Sequence, residues 1–558
     1  MTLSRIRLRG MYALPLLLSA LALVGIGSPA LAGKPKPKKG AGAGLTAPFA
    51  VNWKFTGTQY PNNPTSPIVV DNILYYATGV RIYAMDARSG ALKWKYPSDV
   101  TLTAPILTTP AVSGGTVYFG TGEGLYALDA VSGKQKWPHY NSKTGVVTSP
   151  TVINGVVYFG CNDQKIYALD ANTGELLTSV WGTGRRAGRE IGGDFAGNMV
   201  SSGSDLYFVT SDQVLRAVSS SSATLRWAKR LNTSAASMTP TLAGENIYLS
   251  AGDVLYCFRA LNGQTRYSMN IGSESPSGPG VDDDGNAYVT NNDRYLIAVS
   301  PRGRPLWKTP PQLEHDPIAP PIVSGDTVIV GTVLGGVYAF DRSSGAMLWR
   351  YVIQPSSTNN TTIPTTTNVS GLPIVSGDTL YISTDDGTLT AFQNRGLDTQ
   401  APKVTVIEPT QGDYISGRPP FYVAAKVVDE GSGLVPNSIS LQMDGQPIAK
   451  KPSARSFSEK PGFSFDSDTG ELIYILQDND SGQRTTIADG HHTLTVSARD
   501  WMGNTVNKTW SFYVDDTIRP RARKSKATAG AGKGPGGLAG GASGAGGKGS
   551  GGGGGNGN

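Results

Sequence analysis

One hairpin-sized pattern, returning every 40–46 residues, constrains this 558-residue chain more than any other feature. Tyr338–Trp349 reads YAFDRSSGAMLW, Tyr83–Trp94 YAMDARSGALKW, Tyr126–Trp137 YALDAVSGKQKW and Tyr167–Leu177 YALDANTGELL. Apolar and polar residues alternate on both sides of the Asp, the period of half-buried strands. Between the strands, Asp-x-x-Ser/Thr-Gly is turn chemistry: the carboxylate can accept from amides ahead of it, and Gly can take positive φ. The aromatic that closes each copy falls at Trp53, Trp94, Trp137, Trp181, Trp227, Tyr267, Trp307 and Trp349. Two copies are degraded. Thr178 stands where the Trp of the third unit belongs, Trp181 coming late, and Val218–Ala223 has lost both Asp and Gly.

Two further strand candidates precede each hairpin, as in Thr109–Val112 with Thr116–Gly120, or Pro150–Ile153 with Val156–Gly160. Units of four strands, repeated without any 3.6-residue periodicity, predict an all-β propeller rather than a helical solenoid. The eighth unit has Leu380–Ser383 and Leu389–Phe392 but stops at Asn394–Gly396 with no outer strand, whereas the chain opens on an orphan Trp strand, Ala50–Phe55. The pattern therefore predicts an eight-bladed propeller over residues 50–396. Its last blade takes the N-terminal strand as its outer one, which closes the ring and leaves no exposed sheet edge.

The motif Ala-x-Asp-x-x-Ser/Thr-Gly-x-x-x-Trp, preceded by Tyr, resembles the tryptophan-docking repeat of pyrroloquinoline quinone (PQQ)-like β-propellers, with close copies at Ala84–Trp94, Ala127–Trp137 and Ala339–Trp349. The resemblance implies that each Trp packs between neighbouring blades. It also raises a PQQ-dependent dehydrogenase, whose members typically carry an adjacent cysteine pair against the quinone, a catalytic Asp and an Asn/Glu calcium set. This chain has no adjacent cysteines, and its repeats are too short for long active-site insertions. No catalytic, cofactor-binding or metal-ligating residue is assigned, and no cofactor is expected.

After Gly396 the period ends. Lys403–Ile407, Phe421–Val428, Ile439–Met443, Glu471–Leu476, His492–Ala498 and Thr509–Val514 read as strands, and six to seven of them over residues 397–517 suggest a sandwich. Val428–Leu434 and Asp489–Asn504 resemble bacterial immunoglobulin-like modules of secreted surface proteins. The joint Asn394–Pro402 is polar and lacks an apolar pattern, so the domains are expected to fold independently, the sandwich serving as spacer or second adhesion module. Residues 518–558 are Gly-rich, basic and of low complexity, which predicts a disordered tail.

At the other end, Arg5, Arg7 and Arg9, an apolar run over Met11–Gly27 and Ala30–Ala32 form a signal peptide over residues 1–32, followed by a basic flexible linker, 33–49. No Cys stands at the cleavage point to take a lipid, and no second apolar run approaches membrane-spanning length. The formal charge of +7 comes from the ends: residues 1–44 and 518–558 each carry seven Lys or Arg and no acid. Removing those fourteen from 49 leaves 35 basic residues against 42 acidic ones. The folded body is thus mildly acidic, which argues against nucleic acid as its partner. Cys161 and Cys257, a whole repeat apart, read as two buried thiols rather than a disulfide.

Other chemistry-bearing residues form no motif. His139, His315, His491 and His492 are scattered; His491 and His492, adjacent on a strand, face opposite sides. Asp282–Asn286 has part of a calcium-loop pattern but sits where Asp-Gly makes an ordinary hairpin. Asp429, Asp500 and Asn504 are a comparable calcium candidate in the sandwich, His315-Asp316 lacks a partnered nucleophile, and Arg185, Arg186, Arg189 and Glu190 mark a Gly-rich insertion. The expectation is an exported, monomeric, non-enzymatic binding or scaffold protein, periplasmic or extracellular, offering a propeller face to a protein or surface polymer. The alternatives are the quinone dehydrogenase and a carbohydrate-active propeller enzyme. The nearest functional analogy is the propeller lipoprotein of the outer-membrane β-barrel assembly machine, from which this chain departs in its second domain and its missing lipidation cysteine.

Overall fold

The computed structural model describes residues 45–57, 65–181, 191–232, 239–354, 367–369, 371–394, 398–451, 462–476 and 486–520. The proposed signal peptide, the tail beyond 520 and the insertion holding Arg185, Arg186, Arg189 and Glu190 lie outside them. No helix among the described residues is long and apolar enough to cross a membrane.

From residue 50 to 393 the chain is a β-propeller built of antiparallel sheets in sequence order. One runs Ile68–Val70, Ile73–Thr78, Arg81–Asp86, Leu92–Tyr96, and its neighbours repeat that order. Middle strands such as Thr116–Gly120 are buried throughout, because sheets pack on both of their faces; the outer strand Leu92–Tyr96 is half-exposed and carries the Lys and Trp alternation. Register follows the motif. Ala84 lies opposite Trp94, Ala217 opposite Trp227 and Ala339 opposite Trp349, each beside a bulge, so a small residue faces a large ring. Cys257 takes the Ala position opposite Tyr267, and in the third unit Ala168 lies opposite Thr178, with Trp181 shifted to Ile166. The sixth unit's described sheet has three strands, Gly280–Val281, Ala287–Thr290 and Leu296–Val299.

The N-terminal strand Ala50–Thr56 pairs antiparallel with Thr388–Gln393, and Trp53 falls opposite Ala391 in that same Ala–Trp register. Neighbouring sheets are tied by buried tyrosines: Tyr75 donates to the Ala130 carbonyl, Tyr118 to Ala171 and Tyr381 to Ala87, at 2.9–3.0 Å.

Residues 403–514 make two facing sheets around one core. The first orders Lys403–Glu408, Phe421–Val428, Glu471–Leu476 and Phe463–Asp466; the second orders Tyr414–Ile415, Thr505–Val514, Gly490–Arg499, Ser440–Met443 and Gln446–Ile448. Phe421, Leu441, Leu494, Trp510 and Phe512 fill the space between them. Among the described residues these are nine strands, against the six to seven expected; the additional three are two to four residues long, too short to show an alternation. The expectation that the second domain is only a spacer is corrected as well. Trp501 of this domain packs on the propeller cluster of Phe49, Trp349, Tyr351 and Phe392, so the two domains share an apolar interface.

Candidate functional site

The repeated turn works as a socket. Asp86 accepts from the amides of Arg88 and Ser89 and from the Ser89 hydroxyl at 2.9–3.1 Å, and these donors hold its carboxyl below the ordinary Asp range. The turn thus fixed exposes the carbonyl of the next residue, which receives a tryptophan from the preceding outer strand. Trp53 Nε1 donates to Ala87 O (3.2 Å), Trp94 to Ala130 (3.1 Å), Trp137 to Ala171 (3.4 Å), Trp227 to Ala260 (2.9 Å) and Trp307 to Arg342 (3.1 Å). Gly133, at φ +69°, lies flat under the Trp94 ring, where a Cβ would come within 2.6 Å of it. Glycine is required there twice, by backbone conformation and by the ring.

Trp349 breaks this series. The eighth unit has no Asp-x-x-Ser-Gly turn to receive it, and its Nε1 donates instead to Ser432 O of the second domain at 2.9 Å. Trp349 has no exposed surface. Phe49 meets it edge-on at 4.9 Å between ring centroids, and Phe392 at 5.4 Å. The receiving loop, Asp429–Gly433, also takes the Tyr351 hydroxyl on Glu430 O (3.1 Å) and the amide of Val51 on Gly431 O (3.1 Å). One sandwich loop therefore touches the seventh unit's Trp strand and the N-terminal strand together. The loop itself spells Asp-Glu-Gly-Ser-Gly, the same Asp-x-x-Ser-Gly string as the propeller turns.

Two carboxylates hold that loop in shape, and a third stands beside them. Asp398 Oδ2 accepts from the Ser432 amide (2.8 Å) and Asp429 Oδ2 from the Gly433 amide (2.6 Å). Asp500 accepts from the Asn504 amide (2.8 Å) and side chain (2.7 Å), and Asn504 also donates to the Asp398 carbonyl (3.1 Å). Asp398, Asp429 and Asp500 bring one oxygen each within 4.8 Å of the others. Burial, reinforced by the charges of Asp398 and Asp500 against the pull of the Gly433 amide, pushes the Asp429 carboxyl up to about 6. Of the sequence candidates here, Asp429 and Asp500 converge while Asn504 positions Asp500. Asp398 was not singled out. It belongs to the polar joint, and only its place just before Pro402 and the first sandwich strand hinted that the joint is packed.

A second grip lies on the same outer strand. Arg350, 4% exposed, places Nη2 2.8 Å from Glu314 and 3.2 Å from Asp468 of the sandwich turn Asp466–Gly470, with the Tyr338 ring under its guanidinium. His315 Nε2 lies 2.8 Å from Asp468 Oδ2, and Gln354 donates to the Asp468 carbonyl (3.0 Å). Burial raises the Asp468 carboxyl, but His315 and Arg350 outweigh it and hold the group below the ordinary range. Glu314, His315 and Asp468 are close enough together to share an ion. Here, though, the Arg350 guanidinium already supplies a counter-charge to both carboxylates, and the cluster is an ion-pair network across the interface.

Residues 50–269 and 250–405, well over half of the chain, match the family model described as outer membrane protein assembly factor BamB. The chain belongs to this family. The BamB of Burkholderia pseudomallei (strain K96243) is 28% identical over 148 residues, covering 26% of this chain and 36% of that relative. Among solved structures, BamB from Moraxella catarrhalis aligns at 16% identity and a TM-score of 0.48 over 61% of this chain and 100% of its own. A europium-containing methanol dehydrogenase aligns at 14% and 0.49 over 62% and 93%. The BamB-family match ends at residue 405, so the Asp429–Gly433 socket lies outside it.

The remaining candidates in this BamB-family chain have structural partners. Cys161 and Cys257 are separate buried thiols, pushed by burial up to about 12 and about 11. Asp282 organises its own turn, accepting from the amides of Asp284 and Asn286, from Tyr288 OH and from Arg342. His139 stacks on Tyr126 at 4.7 Å. His315 turns to Asp468 while Asp316 faces Arg294, so the two form no relay. His491 meets the exposed ring of Tyr513 and His492 the buried ring of Phe512, on opposite sides of their strand.

Proposed function

We propose that this chain is an exported, non-enzymatic scaffold of the bacterial envelope that works, as the name of its relatives says of them, in outer-membrane protein assembly. The observation that carries this is the BamB-family match over residues 50–405. In this reading the propeller is a closed ring of eight blades. Two observations support that: the pairing of Ala50–Thr56 with Thr388–Gln393, and the continuation of the Ala–Trp register into it. The C-terminal domain is an immunoglobulin-like sandwich clamped to the ring by two loops, so the protein presents one rigid body to a protein partner. The absence of an adjacent cysteine pair and the structural employment of Asp282, Cys161 and Cys257 favour a scaffold over a quinone enzyme.

The test is capture of partners by the tagged chain from residue 33 onward, cross-linked in envelope membranes. Recovery of outer-membrane β-barrel assembly proteins is the expected result. Substrate-dependent dye reduction by the purified chain with PQQ and calcium, in the absence of such partners, overturns the reading in favour of a dehydrogenase.

A further inference from the structure

The loop that receives Trp349 lies against three clustered carboxylates. Asp398 and Asp500 are 9% and 1% exposed, and no ion pair among the described residues includes either of them or Asp429. Three like charges this close, two of them buried and Asp429 half-buried, repel one another in a medium that screens them poorly, a costly arrangement unless a cation is shared among them. Their spacing suits one. Two oxygens on a single calcium ion at about 2.4 Å each can stand no more than about 4.8 Å apart, and the three carboxylates each offer an oxygen within 4.8 Å of the other two. A separate observation also points to a ligand here. Ser432 has no exposed surface, its amide is bonded to Asp398, and its Oγ has no hydrogen-bond partner. A buried hydroxyl without a partner is uncommon, and it is an oxygen that a hard cation can use.

We propose that Asp398, Asp429, Asp500 and the Ser432 hydroxyl bind one calcium-class cation, and that this ion locks the Asp429–Gly433 loop as the socket for Trp349 and the neighbour of the N-terminal strand. The proposal goes beyond the scaffold function and is independent of it. The ion neutralises the cluster, stiffens the loop, and through the Trp349–Ser432 and Val51–Gly431 bonds fastens the place where the first and last parts of the propeller meet.

The test uses the chain from residue 33 onward, freed of metal with a chelator. Calcium chloride is added in a calorimetric titration, with thermal unfolding and hydrogen exchange measured in parallel. One equivalent should bind, the melting temperature should rise, and exchange in the peptide spanning residues 50–56 should slow. Asp500→Asn and Asp429→Asn should each weaken calcium binding by about tenfold or more, whereas Asp468→Asn, in the other acidic cluster, should leave it unchanged. If either Asn variant fails to fold, the titration of the unaltered chain against Asp468→Asn still decides. Absence of calcium binding, equal binding by the folded Asn variants, loss of binding in Asp468→Asn, or binding that leaves exchange in residues 50–56 unaltered each overturns the proposal.

Discussion

Trp349 and Trp94 sit in the same register of the same motif, yet they do different work. Trp94 binds a carbonyl of the next propeller turn; Trp349 binds a carbonyl of another domain, 83 residues ahead. Trp94→Ala should cost about 3–5 kcal/mol and lower the melting of the propeller alone. Trp349→Ala, with a similar loss, should lower the melting of both domains, because the sandwich loop loses its anchor as well; differential scanning calorimetry of the two variants separates these outcomes. A second residue-scale prediction concerns His492, whose ring nitrogens lie 2.7 Å from Asp444 and from the Ala488 carbonyl. Burial would lower its pKa, but those two acceptors raise it above 6.5, and Asp444 is held below 3.8. Folded His492 thus keeps its proton to higher pH than unfolded. The stability it lends is whole below 6.5 and is lost as pH rises through the elevated value. The Asp444 contribution runs the other way, whole above 3.8 and lost as pH falls through the depressed value. Since Asp444 is half-exposed, His492→Gln should remove less than about 1 kcal/mol, and only on the acid side of the histidine transition, measurable by urea unfolding on either side of neutrality.

At the scale of elements, the outer strand of the last propeller sheet is the informative one. Deleting Ala50–Thr56 strips the Thr388–Gln393 edge of its ladder and removes the amide that meets Gly431. The variant should aggregate or melt far lower, as an unpaired edge invites pairing between molecules; melting like the parent in light scattering and calorimetry would contradict it. This strand was legible in the sequence because Trp53 stands without a hairpin before it while Leu389–Phe392 lacks one after it. The blade hairpins were legible for the same reason, since a turn that needs Asp, Ser and Gly at set positions leaves a mark each time it recurs. Tyr414–Ile415 and Gln446–Ile448 left none, as two or three residues show no period. The candidate site was half legible. Asp429 and Asp500 stood out in Gly-rich loops, but Asp398 looked like part of a polar linker, and only the tertiary fold brings it to them. The surrogate socket was likewise hidden: Asp429–Gly433 matches the turn string, but nothing local in the chain says which tryptophan it receives.

For the molecule as a whole, two loops of the sandwich, Asp429–Gly433 and Asp466–Gly470, hold one propeller strand through Trp349, Tyr351, Arg350 and Gln354. Truncation after Gly396 would expose Trp349 and leave Arg350, 4% exposed, with Glu314 alone. The truncated propeller should therefore melt below its transition in the intact chain, as calorimetry of the two proteins would show; equal melting would mean that the propeller draws no stability from the sandwich. The pairing of Ala50–Thr56 with Thr388–Gln393 also sets an order in time. The first propeller strand to be made has no partner until the last one exists, and the loop beside it, around Gly431, is made later still. Contacts so distant along the chain form slowly. A nascent molecule must therefore carry an unpaired, tryptophan-bearing strand while more than half of the 558 residues are made, and a chaperone that shields this one strand would remove a route to misassembly.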